Sequence, residues 1–171
     1  RRPRDPHDAR GFGQDALALT QYDPVTGATT SGFNPGFTLT GIASRGTEFY
    51  AIRNMAPNDT IYKWEPPLNI LTALPMSNVS GLQALATSPN GTLFGWDVNE
   101  GLMRIDTTTG QATDVNPAAV GSTNIQAIEF LPDFSMYAVR SDYYDMNPAT
   151  GNVVTFPGAA YTDIRGLAFV G

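Results

Sequence analysis

One pattern recurs four times along this chain, and it limits the fold more than any other feature. An aliphatic, polar, small, aliphatic signature stands at Leu39-Thr40-Gly41-Ile42, Leu82-Gln83-Ala84-Leu85, Ile125-Gln126-Ala127-Ile128 and Ile164-Arg165-Gly166-Leu167, at offsets of 43, 43 and 39 residues. Self-similarity at such a period marks a repeat architecture, in which one supersecondary unit stacks on copies of itself. The first three copies are followed by an aromatic, small, bulky-apolar triplet at Tyr50-Ala51-Ile52, Phe94-Gly95-Trp96 and Tyr137-Ala138-Val139. These segments read as strands A and B of each repeat.

A third strand, C, runs into an acidic or amide residue and a turn: Tyr22-Asp23-Pro24-Val25-Thr26-Gly27, Trp64-Glu65-Pro66, Ile105-Asp106-Thr107-Thr108-Thr109-Gly110 and Met146-Asn147-Pro148-Ala149-Thr150-Gly151. Asp and Asn hydrogen-bond the backbone ahead of them, Pro pre-sets φ, and Gly takes a left-handed residue, so each reads as a hairpin into strand D. The A-to-B connections, Ser44-Arg45-Gly46, Pro89-Asn90-Gly91 and Pro132-Asp133-Phe134, carry turn chemistry at matching places. Strand D, at Thr29-Thr30, Leu71-Thr72-Ala73, Ala112-Thr113 and Val153-Val154-Thr155, is the least apolar and belongs outside. Strand A has apolar residues at both parities, as a strand covered on both faces requires. Its small residues, Gly41, Ala84, Ala127 and Gly166, let four sheets crowd around one axis.

The sequence therefore predicts an all-β, four-bladed β-propeller of roughly 42-residue, four-stranded repeats. The fourth strand A is followed only by Ala168-Phe169-Val170-Gly171, while Phe12-Gly13-Gln14-Asp15 matches Phe94-Gly95-Trp96-Asp97. The terminal blade is thus expected to be shared between N- and C-terminal strands, with Phe12 and Phe169 in the latch and two exposed sheet edges removed. Residues 1–10 form a basic, Pro-containing arm and residues 11–171 a single propeller domain. The turn motif at Asp23, its variants at Asp106 and Asn147, and Ser88-Pro89-Asn90-Gly91-Thr92-Leu93-Phe94 resemble the repeats of bacterial secreted β-propeller proteins. That resemblance implies architecture only and brings no active-site residue with it; the location expected of the chain is extracellular or at the cell surface.

The net charge of −6 argues against nucleic acid as a partner, since phosphate binding rests on cationic neutralisation. Arg1, Arg2, Arg4 and Arg10 give the arm +2 against Asp5 and Asp8, leaving −8 on the rest. Without cysteine the chain has no disulfide or thiolate chemistry, and no apolar run is long enough for a membrane-spanning helix. The sole histidine, His7, lies in the arm and reads as a solvated linker residue, so no histidine triad is available to the body. Asp142, Asp145 and Asn147 cluster without the glycine and glutamate of a calcium loop and read as a turn. Glu48, Glu65, Asp97, Glu100 and Glu129 offer carboxylates for glycosidase-like work, but nothing singles out a pair. Glu129 stands where other repeats have alanine, and it reads either as the partner of Arg165 near the axis or as a residue at an exposed strand end.

No enzyme activity, cofactor or metal is expected. The leading expectation is an extracellular structural protein that self-assembles into a homo-oligomer or fibre through Arg1, Arg2, Arg4, Arg10 and the Phe12/Phe169 latch. The alternative is a propeller module that binds a glycan or a cell-surface protein. Thr40, Gln83, Gln126 and Arg165 would then line the axial mouth. Tyr143, Tyr144, Trp96 and Trp64 are candidate contact aromatics, although their strand positions favour the core. Asn58, Asn78 and Asn90 head triplets of the glycosylation pattern.

Overall fold

The structure is a computed structural model that describes residues 11–15, 18–22, 25–66, 68–75, 77–118 and 124–156, with 164 and 167. Among these residues there is no helix, and fifteen strands form four antiparallel sheets. The chain divides into two compact units, residues 1–39 and 40–171.

In the first unit, β1 (Gly11–Asp15), β2 (Ala18–Tyr22) and β3 (Thr29–Phe33) form a three-stranded meander. Phe12 lies opposite Gln21 in the β1–β2 ladder, so the segment read as a strand B is a strand and pairs with the expected strand C. Most of the C-terminal partner expected beside it, Arg165 and Phe169 included, lies outside the described residues, as do Arg1, Arg2, Arg4 and Arg10.

The second unit holds three four-stranded sheets, one for each complete repeat. They are β4 (Ile42–Arg45) to β7 (Ile70–Ala73), with β5 (Glu48–Arg53) and β6 (Thr60–Glu65) between; β8 (Leu82–Thr87), β9 (Leu93–Asp97), β10 (Gly101–Ile105) and β11 (Ala112–Asp114); and β12 (Ala127–Phe130), β13 (Met136–Val139), β14 (Tyr143–Met146) and β15 (Val153–Thr155). Each is a meander in which strands A to D follow in order. The repeated signature straddles the start of strand A, which in the first and third of these sheets begins at its last or third residue.

The turns explain why the meanders form. In the C-to-D hairpins Asp106 Oδ1 accepts the Thr108 and Thr109 N–H groups at 2.7 and 3.1 Å, and Asn147 Oδ1 accepts the Ala149 N–H at 2.9 Å. The fifth residue of each such turn has a left-handed backbone: Gly27 (φ 69°), Asn69 (φ 50°), Gly110 (φ 81°) and Gly151 (φ 66°). Asn69 fills the place of the glycine missing from its repeat, because Asn tolerates this region better than other side chains.

The sheets stack face to face through two cores. Tyr50, Ile52 and Ile61 of the first sheet mesh with Leu85, Leu93, Met103 and Ile105 of the second. On the second sheet's other face, Phe94, Trp96 and Leu102 mesh with Ile128, Phe130, Met136 and Met146 of the third. Both faces of the middle sheet are therefore buried, and β9 is buried throughout its length. The small residues allow this approach. A Cβ on Gly41 would lie 2.9 Å from Ile52 Cδ1 and 3.1 Å from the Gln83 carbonyl oxygen, so the first inner strand sits against the backbone of the second.

A polar clasp closes the outer side of the first pair of sheets. Arg45, in the first A-to-B hairpin, donates from Nε to the Gly91 carbonyl at 2.7 Å and from a terminal nitrogen to Thr107 Oγ1 at 3.2 Å, both on the second sheet's turns. Its neighbour Glu48 takes Lys63 Nζ at 2.6 Å and the Tyr50 hydroxyl at 2.9 Å, and Lys63 also meets Glu65 at 3.0 Å. The Lys63 hydrogen bond, with that of Tyr50 behind it, holds the Glu48 carboxyl below its usual range.

Two outcomes are expected. Gly41→Ala should destabilise the fold by about 1–3 kcal/mol, because the new methyl would press on the buried end of Ile52 at 2.9 Å and on the Gln83 carbonyl oxygen at 3.1 Å; urea unfolding measures this, and a neutral result would mean the inner strands are further apart. Glu48 has a folded-state pKa below its unfolded value, so its contribution is present above about pH 4.3 and is lost as pH falls through the lower folded value. Stability of Glu48→Gln should consequently change less on acidification than that of the parent, as thermal melts across that window would report.

Candidate functional site

At the inner end of the second and third sheets, the predicted axial residues come together in part. Gln126 Nε2 donates to Gln83 Oε1 at 3.1 Å and to Asn124 Oδ1 at 2.9 Å, joining adjacent repeats at equivalent positions. Both glutamines are half-buried, and Thr40, beside Gly41 and its contact with the Gln83 carbonyl, is exposed. Thr40 N–H donates to the Ile52 carbonyl at 2.8 Å, which fixes its backbone as a continuation of the β4–β5 ladder. Asn124 was not among the expected residues, although its place just before the third signature is a signal for it. Arg165, the fourth axial position, lies outside the described residues. The result is an amide cluster with donors and acceptors at the end of two packed strands, suited to hydrogen-bond a neutral polar ligand.

Four of the five carboxylates singled out by sequence have partners among the described residues. Glu48 and Glu65 share Lys63 in the clasp. Asp97 is buried at 1% exposure and accepts the N–H groups of Gly81, Asn99 and Glu100 at 2.8–3.2 Å. Sequence reading did not single out Asp59, which is equally buried and accepts the Leu82 N–H at 2.8 Å and the Met55 N–H at 3.2 Å. Both acids satisfy backbone donors where a strand A begins. Glu129 is half-buried on β12, and burial pushes its carboxyl up despite the hydrogen bond from the Phe130 N–H. Its expected partner Arg165 lies outside the described residues, as does His7. Among the described residues no three metal-binding side chains cluster.

Trp64, Trp96 and Tyr144 are core residues, while Tyr143 is half-buried. Of the glycosylation-pattern asparagines, Asn78 is engaged on both sides of its amide: Nδ2 donates to the Ala112 carbonyl at 2.9 Å and Oδ1 accepts the Ala112 N–H at 2.8 Å. Attaching a sugar to that nitrogen would break the pair, so Asn78 is a staple and not an acceptor. Asn116 repeats the device, donating to the Thr150 carbonyl at 2.9 Å. Asn58 Nδ2 donates to the Ser77 carbonyl at 3.1 Å, and Asn90 stands exposed on the second A-to-B hairpin.

The third A-to-B hairpin differs from its counterparts. Where the first and second have Gly46 (φ 64°) and Gly91 (φ 83°), the third has Phe134 at φ 70° with 49% of its surface exposed. A left-handed conformation costs an L-residue with a side chain roughly 1–2 kcal/mol. The next residue, Ser135, lines an open groove of about 450 Å³ together with Asp145, Asn147, Thr150, Asn152 and Val154.

Comparison with known proteins bears on the fold alone. No family model matches the chain, and no curated protein does. Among solved structures it is similar to a chain of the nidogen/laminin complex (15% identity, TM-score 0.65, covering 84% of this chain and 58% of that one). It is also similar to an auxiliary nutrient binding protein from Bacteroides ovatus (16%, TM-score 0.63, 87% and 39%) and to TolB from Acinetobacter baumannii (18%, TM-score 0.59, 85% and 39%). The chain thus spans at most 58% of the length of these structures. The neighbours are β-propellers, and the meander sheets stacked face to face in this chain are of the same kind.

Proposed function

We propose that the chain is a non-catalytic recognition module of β-propeller type, working at the cell surface or outside the cell and binding a glycan or a protein through its axial end. The observation that carries this reading is the amide cluster of Gln83, Gln126 and Asn124 at the inner ends of two sheets. Such groups hydrogen-bond a ligand without supplying a nucleophile, and Asp59, Asp97 and Glu48 are engaged with backbone or with Lys63. Two of the similar structures carry binding in their names, one a complex of nidogen with laminin and one a nutrient binding protein, and that supports recognition as the use of this scaffold.

Closure of a four-bladed ring by β1–β3 and the C-terminal strand is part of the same proposal, since it would bring Thr40, Gln83, Gln126 and Arg165 to one mouth. The fibre-forming role expected from the arm gains no support from these similarities.

The reading predicts that the full chain binds ligands on a glycan array or captures a protein from cell-surface extracts. The Gln83→Ala/Gln126→Ala double variant should keep the parent's melting temperature within a few degrees and lose tenfold or more in affinity. Parent-like binding by that variant would remove the axial end from the proposal.

A further inference from the structure

We propose that Asn90, at the tip of the second A-to-B hairpin, is a self-modification site: its side chain cyclises onto Gly91 and converts to isoaspartate when the hairpin opens, and the closed hairpin holds that reaction off. The inference goes beyond the recognition reading and does not depend on it.

The chemistry starts from the sequence. Cyclisation needs the backbone nitrogen of the following residue to reach the asparagine side-chain carbon, and only glycine leaves that approach unobstructed and the backbone free to make it. Asn90 is the one asparagine of the chain that precedes glycine; the others precede proline or a residue with a larger side chain, and no aspartate precedes glycine. Asn90 is also exposed, so water reaches the ring once it forms. The Gly91 nitrogen loses its proton and bonds Cγ of Asn90, the Cγ–Nδ2 bond breaks, and the nitrogen leaves as ammonia with that proton. Water then opens the imide ring. Cleavage at the main-chain carbonyl of Asn90 gives isoaspartate, and cleavage at Cγ gives aspartate.

The closed hairpin opposes the first step at both reacting atoms. Gly91 N–H donates to the Ser88 carbonyl at 2.8 Å, which holds the nucleophile in the turn and keeps its proton in place. Asn90 Oδ1 accepts the Ser88 hydroxyl at 2.6 Å and the Thr92 N–H at 3.3 Å, so the carboxamide is held by the turn and is not free to rotate toward Gly91. The lock is anchored inward, because Ser88 is 5% exposed and its Oγ also accepts the Thr92 N–H at 3.1 Å. Ring closure requires these bonds to break together, which makes local opening of the hairpin the gate for the reaction.

Conversion has a structural consequence. Isoaspartate routes the main chain through its side-chain carbon, adding one atom to the backbone of a tight turn and leaving a new carboxylate. The Gly91 carbonyl, which takes Arg45 Nε at 2.7 Å, is thereby displaced. Arg45 reaches from the first sheet to Gly91 and Thr107 on the second, so the modification loosens the polar clasp while the apolar core between those sheets stays packed.

The test incubates the full chain at mildly alkaline pH and physiological temperature, folded and in urea, and follows every asparagine by peptide mapping with isoaspartate-specific enzymatic labelling. Asn90 should be the first asparagine converted in both states, and about tenfold or more slowly in the folded chain. Ser88→Ala, held at a temperature where circular dichroism shows it folded, should convert several-fold faster than the folded parent. In urea the two should convert at the same rate, which separates the hairpin lock from the chemistry of the dipeptide. The purified isoaspartyl form should melt below the parent. A different asparagine converting first, equal rates in the folded and unfolded parent, or a parent-like rate in folded Ser88→Ala overturns the proposal. A parent-like melting temperature in the isoaspartyl form overturns its link to the Arg45 clasp.

Discussion

The close approach of inner strands is the constraint on which the other contacts rest. Gly41 lies against the Gln83 carbonyl, and Ala84 and Ala127 occupy the matching positions in the next two sheets, both buried. Only at that separation do Tyr50 and Ile52 reach into the second sheet and Phe94 and Trp96 into the third. The magnitudes show why the small residues cannot vary freely. Burying one large apolar side chain contributes about 1.5–3 kcal/mol, and overpacking a well-filled core costs about 1–3 kcal/mol. One added methyl at the axis therefore offsets the burial of a whole core residue. Gly95, on the second strand of the middle sheet, is hemmed in by its own sheet instead, since a Cβ there would lie 2.6 Å from Leu82 Cδ1 and 3.0 Å from Ile105 Cδ1.

Apolar packing of this kind is strong but non-directional, and it does not fix how far one sheet slides along the next. Directional polar contacts do. Asp59, in the first sheet's B-to-C loop, receives the Leu82 N–H while Asn54 Nδ2 gives to the Leu82 carbonyl, so the second sheet's inner strand is gripped at its first residue from both sides. Asn78 ties the connection before that strand to β11, and Asn116 ties the next connection to the third sheet's C-to-D turn, each across 34 residues of chain. A buried carboxylate is costly unless its lone pairs are satisfied, and these are satisfied by backbone donors that would otherwise lack partners themselves. This is why the acids and amides that look available for chemistry in the sequence are mostly engaged in holding sheets in register.

Strand order and most turns were legible because both depend on local rules. Alternation, small residues at a fixed period and Asx or Gly turn chemistry act within a dozen residues, and the three complete repeats fold as four-stranded meanders accordingly. The Gln83 and Gln126 contact was also legible, since equal positions in stacked repeats must lie side by side. Long-range polar pairs were not. Asn78 matches a glycosylation triplet in sequence, and only the position of Ala112 reveals that its amide is already used. Asp59 drew no notice because its partner, Leu82, is fixed by how two sheets meet and not by anything near Asp59 in the chain. Asn69 and Phe134 were missed for a third reason: their left-handed backbones are imposed by the repeated turn, while their residue types give no or little hint of it.

Phe134 remains the residue for which the fold offers no return. Full burial of a phenylalanine ring is worth up to about 3 kcal/mol, and a ring half in water keeps only part of that, about the same size as the roughly 1–2 kcal/mol of strain in its backbone. Glycine in the sister hairpins avoids the strain and still closes the same turn, as Gly46 and Gly91 show. A phenylalanine there is therefore at best neutral for the stability of the hairpin.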